Sequence, residues 1–469
     1  MSYNLTMKTN RVATLFKVIL LLSPIFFSLW FVLQHGVNIV FWDEWGVVAF
    51  YDEMMRNGFS FDILFAQHNE HRIFFPRLVF LTSGIISSWN VVVNMLITQI
   101  LFGLVYLCVV LWITDKWKNH DWIRVIFCLV FGNLFYNLVQ YENFLWGFQV
   151  SFTMPLIFGI LSFIVFDKLV RTNFKSTLHL ITLLGYAIIA SFSSLQGLFI
   201  WLVYFILFGL FWIFKYKIPK KILLSITSVG VISMFIYLYD FHMVSGHMGD
   251  GISFVDILAS FILGTGGMLY NYYTPFNILL GLFLIFSTLF IVMYILKSKQ
   301  LCDFIFPLSL MTYGYGFVLS IALGRIDKFG FGMVFSSRYT TYFMLILEGL
   351  LLCVYLLYAY RNKSTTLLAS GSRKQNIVKC LFTCVVATVF IVSVGICLQN
   401  VILWDCGDAV NDQRQLGKNA VLNYDNVDLT SLQRVYPWNS YDDAYEMIGI
   451  IEKYNYNVFS NNWLSRILG

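Results

Sequence analysis

TLFKVILLLSPIFFSLWFVLQHGVNIVFWDEW, Thr14 to Trp45, decides how the rest of the chain is read. Its first part, 14–35, is an apolar run of the length a membrane-crossing helix needs, about 17 to 25 residues. Arg11 and Lys17 lead into it and no small-residue cleavage site follows, so it reads as a retained first span rather than a secretory signal. Directly afterwards come two adjacent acids, Asp43 and Glu44, held between Trp42 and Trp45. A charge near lipid costs about 3 kcal/mol at the span centre unless it finds partners. An acidic pair placed at the mouth of a span therefore marks a candidate site.

Further apolar runs of spanning length lie near 91–113, 124–140, 147–167, 178–195, 197–214, 222–240, 276–296, 302–323, 339–360 and 380–401. With the first, they make an all-α integral membrane protein of about eleven transmembrane helices. Composition agrees: 12% of the 469 residues are charged and 59% hydrophobic, where a soluble domain carries roughly 25% charged. The net charge of +6 is no sign of a nucleic-acid partner, because the basic residues sit in short loops between spans. Lys116, Lys118 and Arg124, then Lys168, Arg171 and Lys175, then Lys215, Lys217, Lys220 and Lys221, then Lys297 and Lys299, then Arg361, Lys363, Arg373, Lys374 and Lys379 all fall on the side of the N-terminus. The positive-inside rule makes that side cytoplasmic.

The membrane domain then covers 1–401. Its 36–90 segment is a large first external loop, and 402–469 is a small polar external segment at the C-terminus. Two apolar stretches, Ile73–Ser88 with Pro76 and Arg77, and Phe254–Tyr270 with Asp256 and three glycines, read as helices at the outer interface. Gly46–Arg56 reads as an amphipathic helix ended by the Asn57–Gly58 turn. Seven of the eight cysteines lie in or beside apolar runs, which argues against a disulfide framework.

Six polar clusters fall on the side away from the basic loops: FWDEW (Phe41–Trp45), HNEHR (His68–Arg72), QYENFLWGFQ (Gln140–Gln149), SSLQG (Ser193–Gly197), GRIDK (Gly324–Lys328) and SSRY (Ser336–Tyr339). The acidic pair is either a solvated pair at an aromatic belt or a general base in a partly apolar pocket, where burial raises its pKa to a useful value. On the second reading Asp43 is the base and Glu44 the alternative. In HNEHR, two histidines three apart without a third ligand give no support for a divalent metal. The cluster with His68, Glu70, His71 and Arg72 suits hydrogen bonding to an anion, or simply a capped loop. Arg325 and Arg338, with Ser337 and Tyr339, are either headgroup anchors or a phosphate cradle. Glu142, Asn143, Trp146 and Gln149 place a carboxylate, amides and an indole on one local surface, the equipment for a sugar ring, or else cap a helix start. His242, His247, Asp250 and Asp256 form a looser group.

DEW, then HNEHR, then ENFLWGFQ, then GR and SRY, in this order, resemble polytopic glycosyltransferases of the GT-C class, and among them the bacterial O-antigen-modifying (serotype-converting) glucosyltransferases. The resemblance covers about 40 to 350. It implies an inverting transferase of the bacterial inner membrane that moves a sugar, glucose by the resemblance, from a polyprenyl-phosphate-linked donor to a lipid-linked O-antigen or similar glycan on the periplasmic face. It implies no cofactor, and membrane lipid and the two lipid-linked substrates as partners. Two rivals stay open: a lipid-linked oligosaccharide flippase or other transporter, which needs mid-bilayer charges or broken helices, and an O-antigen polymerase, which needs a large external loop in the later half.

Overall fold

The structure is a computed structural model that describes residues 2–116, 121–242, 251, 253–269, 274–298, 300–361 and 373–462. Lys118, His247, Asp250, Lys299 and Lys363 lie outside the described residues. Among the described residues the chain is all-helical, apart from one bridge pair between His68 and His71. Ten helices are long and apolar enough to cross a membrane, from Val12–His35 to Thr383–Ile402. The protein is an all-α polytopic membrane protein.

The expected eleventh span, 178–195, is a helix of 15 residues, Thr177–Ser191. At 1.5 Å per residue it covers about 22 Å, less than the bilayer core. It is not one of the ten, although connectivity makes it a return pass along the bundle. Helix Val150–Arg171 starts at Gln149, and the later segment Leu195–Leu198 starts beside Ser194; Gln149 and Ser194 line one cavity. The chain must therefore return between Arg171 and Ser194. The short helix is followed by a sharp bend where Gly197 meets Ala190: a Cβ at Gly197 would lie 1.8 Å from the Ala190 carbonyl oxygen. No larger residue fits there.

The expected span 124–140 is found as Trp122–Leu145, with its regular helix interrupted toward its C-terminal end. Helix Asp121–Phe135 ends, and short turns Leu138–Gln140 and Tyr141–Leu145 follow. Buried irregular backbone has to find partners at membrane depth. Here Asn137 accepts from Val139 N at 2.9 Å and donates to Ile396 O at 2.8 Å, while Asn400 accepts from Leu138 N at 2.8 Å. The QYENFLWGFQ cluster is thus a folded loop set inside the bundle end. The centre of the bundle is helix Ser337–Arg361, packed on Ile305–Gly324.

On the face opposite the cavity, Lys116 and Arg171 close on the buried Asp167, with Trp112 Nε1 donating to Asp167 at 2.9 Å. That polar lock ties together the ends of two spans, Val91–Lys116 and Val150–Arg171.

In the first loop, helix Glu44–Asn57 is stopped by Gly58 at φ +81°, as the Asn-Gly pair predicts, and helix Phe74–Ser87 follows. The C-terminal segment forms helices Trp404–Leu422, Leu429–Leu432 and Tyr441–Lys453. Its buried side chains, Val421, Leu432, Val435, Trp438 and Ile448 among them, belong to the same core as the first loop, on which it lies. Asn457 donates to Asn38 Oδ1 at 2.7 Å and to Trp89 O at 2.9 Å, and accepts from Val40 N at 3.2 Å. The Trp45 and Trp438 rings meet edge to face at 5.1 Å.

Candidate active site

The acidic turn is built to send its two carboxylates apart. Trp42 sits at φ +47°, and its N–H donates to Val435 O of the C-terminal segment at 2.8 Å. Glu44 N and Trp45 N then donate back to Phe41 O and Trp42 O, opening helix Glu44–Asn57. Asp43 is left facing a cavity of about 710 Å³. Glu44 turns inward instead, accepting from Phe41 N at 2.8 Å and lying 4% exposed. A Cβ on Gly147 would lie 2.5 Å from its Oε1, so the glycine of ENFLWGFQ makes room for the Glu44 carboxylate. Burial pushes Glu44 up to about 8, against the Phe41 amide and the Arg414 guanidinium, which pull it down.

Asp43 is also raised above the ordinary carboxylate range. Burial is the larger cause, and the positive charges of Arg338 and Arg325 oppose it. Those arginines come from the GR and SRY clusters. Arg338 lies over Trp146 at 5.8 Å and over Tyr339 at 5.4 Å. Its backbone is clamped: Arg338 N donates to Glu142 Oε2 at 3.1 Å, and Asn143 Nδ2 donates to Arg338 O at 2.9 Å. Ser337 Oγ donates to Val139 O at 2.7 Å and accepts from Glu142 N. One orphan N–H of the helix start at Ser337, that of Arg338, is therefore satisfied by Glu142 of the Tyr141–Leu145 turn, which holds the Arg338 backbone in place.

Arg325 forms an ion pair with Glu70. Glu70 sits in a tight hairpin in which His68 and His71 exchange both backbone hydrogen bonds at 2.8 Å, with Asn69 at φ +50°. His71 accepts from Leu195 N at 3.4 Å through Nδ1, leaving Nε2 3.6 Å from Glu70. His68 stacks on Phe148 at 5.2 Å. Burial, with the positive charges of Arg77 and His71 adding to it, drives its pKa down to about 3, which favours the neutral imidazole. Gln149 completes the polar wall; among the described residues its Oε1 meets no partner. Phe152, Phe199 and Phe317 form the apolar side.

The structure thus brings Asp43, His68, Glu70, His71, Gln149, Arg325, Arg338 and Tyr339 to one cavity. Glu142, Asn143, Trp146 and Ser337 stand behind it and hold the Arg338 region, so they are positioning residues rather than the sugar-facing surface expected of the first three. Two expectations are corrected. Glu44 does not face the cavity, because consecutive residues at a helix start point about 100° apart. Arg72 does not face an anion: it donates to the carbonyls of Tyr237 at 2.9 Å, Phe65 at 2.8 Å, Tyr239 and Asp240. It satisfies the C-terminal carbonyls of helix Lys220–Leu238, which lack intrahelical partners.

Two participants carry no local signal in the sequence. Trp42 lines the cavity, but a single interface Trp is unremarkable. Arg414, on helix Trp404–Leu422, stacks on the Phe41 ring, and its charge acts on Glu44 and Glu142. Among the described residues no three His, Cys, Asp or Glu side chains converge as a metal set. Comparison with protein-family models, curated proteins and solved structures finds no match to the chain.

Proposed function

We propose that the chain is an inverting membrane glycosyltransferase that moves a hexose from a polyprenyl-phosphate-linked donor to a lipid-linked O-antigen or similar surface glycan. The observation that carries this reading is the pairing of Asp43 with Arg338 and Arg325 across one cavity. Among the described residues Asp43 makes no ion pair, whereas Glu70 is taken by Arg325. Asp43 is the carboxylate available for proton transfer.

The chemistry follows from charge. The acceptor hydroxyl oxygen attacks the anomeric carbon as the bond from that carbon to the phosphate oxygen breaks. The hydroxyl proton passes to Asp43. The phosphate leaves as a monoester, one negative charge richer than the diester it was, and Arg338 and Arg325 face that added charge. Attack opposite the leaving group inverts the anomeric centre. Gln149 and the aromatic wall suit the hydroxyls and face of the sugar.

By the positive-inside rule the cavity face is periplasmic, since Lys116, Arg171, Lys215 and Lys297 lie at helix ends on the other face. On that orientation the N-terminus is cytoplasmic and the C-terminus periplasmic, and the membrane is the bacterial inner membrane that the resemblance implies. The test is transfer of radiolabelled hexose from its polyprenyl phosphate to lipid-linked glycan in membrane vesicles. Wild type is expected to transfer. Arg338→Ala is expected to raise the donor KM roughly tenfold or more, the scale of a lost charge-assisted bond. An unchanged donor KM removes Arg338 from the phosphate site.

Transport is kept as a second reading by one residue. Glu348, within helix Ser337–Arg361, is 1% exposed, and among the described residues neither carboxyl oxygen has a partner. Buried carboxyls in spans commonly relay protons or ions. On the transferase reading Glu348 is dispensable. Glu348→Leu should leave transfer within about twofold and stabilise the protein by about 1 kcal/mol or more, because an apolar side chain replaces an uncompensated polar one. Loss of function with unimpaired folding, measured by transfer and by thermal unfolding in detergent, would favour transport.

A further inference from the structure

A second pocket, of about 420 Å³, opens between helix Glu44–Asn57 and the C-terminal segment, and is lined by Trp45, Gly46, Tyr436, Trp438, Asn439 and Asp443 among others. Its aromatics form a cluster. Trp45 meets Trp438 edge to face at 5.1 Å, and Tyr436 lies 4.2 Å from Trp438 at 43°. Trp45 and Trp438 are 1% and 3% exposed, and among the described residues neither indole N–H meets an acceptor. Two orphaned indole donors side by side are unusual, because buried Trp N–H groups normally find partners. Asn439 and Asp443 add an amide and a carboxylate at the exposed rim. Ring faces, N–H donors and acceptors around a small polar pocket match the alternating C–H faces and hydroxyls of a sugar residue.

The pocket's position gives it a purpose. It shares a wall with the main cavity: the acidic turn puts Trp42 and Asp43 on one side and Trp45 and Gly46 on the other. The wall is thin. A Cβ on Gly46 would lie 2.9 Å from Cε1 of His68, a residue of the main cavity. Trp42 spans the rim, 45% exposed and with its ring 6.5 Å from Tyr436. A glycan with one residue in the pocket can lay the next over Trp42 and bring a hydroxyl to Asp43.

We propose that this pocket is an acceptor subsite that grips a sugar residue of the glycan chain adjacent to the one being modified. The proposal rests on the transferase reading for its purpose, but binding can be measured without transfer. The probe is oligosaccharide released by mild acid from the surface polysaccharide of the source organism, titrated without donor against the full-length protein in detergent by tryptophan fluorescence. Wild type should bind saturably. Trp438→Phe, which keeps a ring and removes one N–H, and Asp443→Asn, which keeps the helix start, should each weaken binding roughly tenfold. In vesicles the same variants should raise the acceptor KM by a similar factor, with kcat and donor KM unchanged. Absence of saturable binding to wild type, or equal binding by wild type and both variants, overturns the subsite. If the variants lose glycan binding but wild type transfers no hexose, the subsite stands and the transferase reading falls. Normal transfer with unchanged acceptor KM in both variants has the opposite meaning.

Discussion

Asp43→Asn is expected to lower hexose transfer on the order of 10³-fold, within the range for loss of a general base, with normal insertion and thermal stability. Asparagine keeps the shape and the hydrogen-bonding reach but cannot accept the acceptor proton. The pH profile carries the same assignment. Burial raises Asp43, and Arg338 and Arg325 pull it back. A base works ionised, so activity should fall as pH drops through the Asp43 pKa, on a limb that lies above the ordinary value of 3.8. Removing the Arg338 charge by Arg338→Gln withdraws one restraint and should move that limb to higher pH. Glu44→Gln should not move it in the same way, because Glu44 lies behind the turn. Full activity in Asp43→Asn, or a limb that Arg338→Gln leaves in place, would remove Asp43 as the base.

Much of the framework that holds Asp43 is legible in the chain. Apolar runs and basic loops locate the spans and their alternation, because each signal is local and repeated. The acidic turn, the histidine hairpin and the two arginines stood out because charge at span mouths is costly, and all four supply residues to one cavity. What could not be read was the direction of individual side chains. Asp43 and Glu44 are neighbours with equal chemistry, and only the Trp42 turn, pinned by Val435, decides which enters the cavity. Arg72 looked like an anion ligand because its four acceptors are backbone carbonyls, most of them at the end of a distant helix. Backbone acceptors leave no residue-type signature. Glu142 and Asn143 looked like sugar ligands for the converse reason: their partners are the backbone of Arg338.

The C-terminal segment, small and polar by its sequence, acts on the acidic turn through Arg414, and Arg414→Ala should show this. The guanidinium covers Phe41 and acts on Glu44 and Glu142. Burial drives its own pKa down to about 9, with the two acids resisting. Without it, Glu44 keeps its burial and loses its compensating charge. At neutral pH Glu44 is protonated, so the expected cost there is the lost stacking on Phe41, about 1 kcal/mol, and it grows as pH rises toward 8 and the carboxylate ionises. The sign with pH is specific. Glu44 is held near 8 against an ordinary value of 4.5, so between those values the folded state binds more protons than the unfolded state. Stability therefore falls as pH rises through that window. Arg414→Ala should raise Glu44 further and extend the loss to higher pH. Adding Glu44→Gln removes the titrating group, so the double variant should be less pH-sensitive than Arg414→Ala alone and recover part of its loss. Thermal unfolding in detergent across pH 5 to 9 for the two singles and the double checks this. Additive losses with an unchanged pH slope would mean that the tail merely covers the turn, and that Phe41–Trp45 holds Asp43 in place without it.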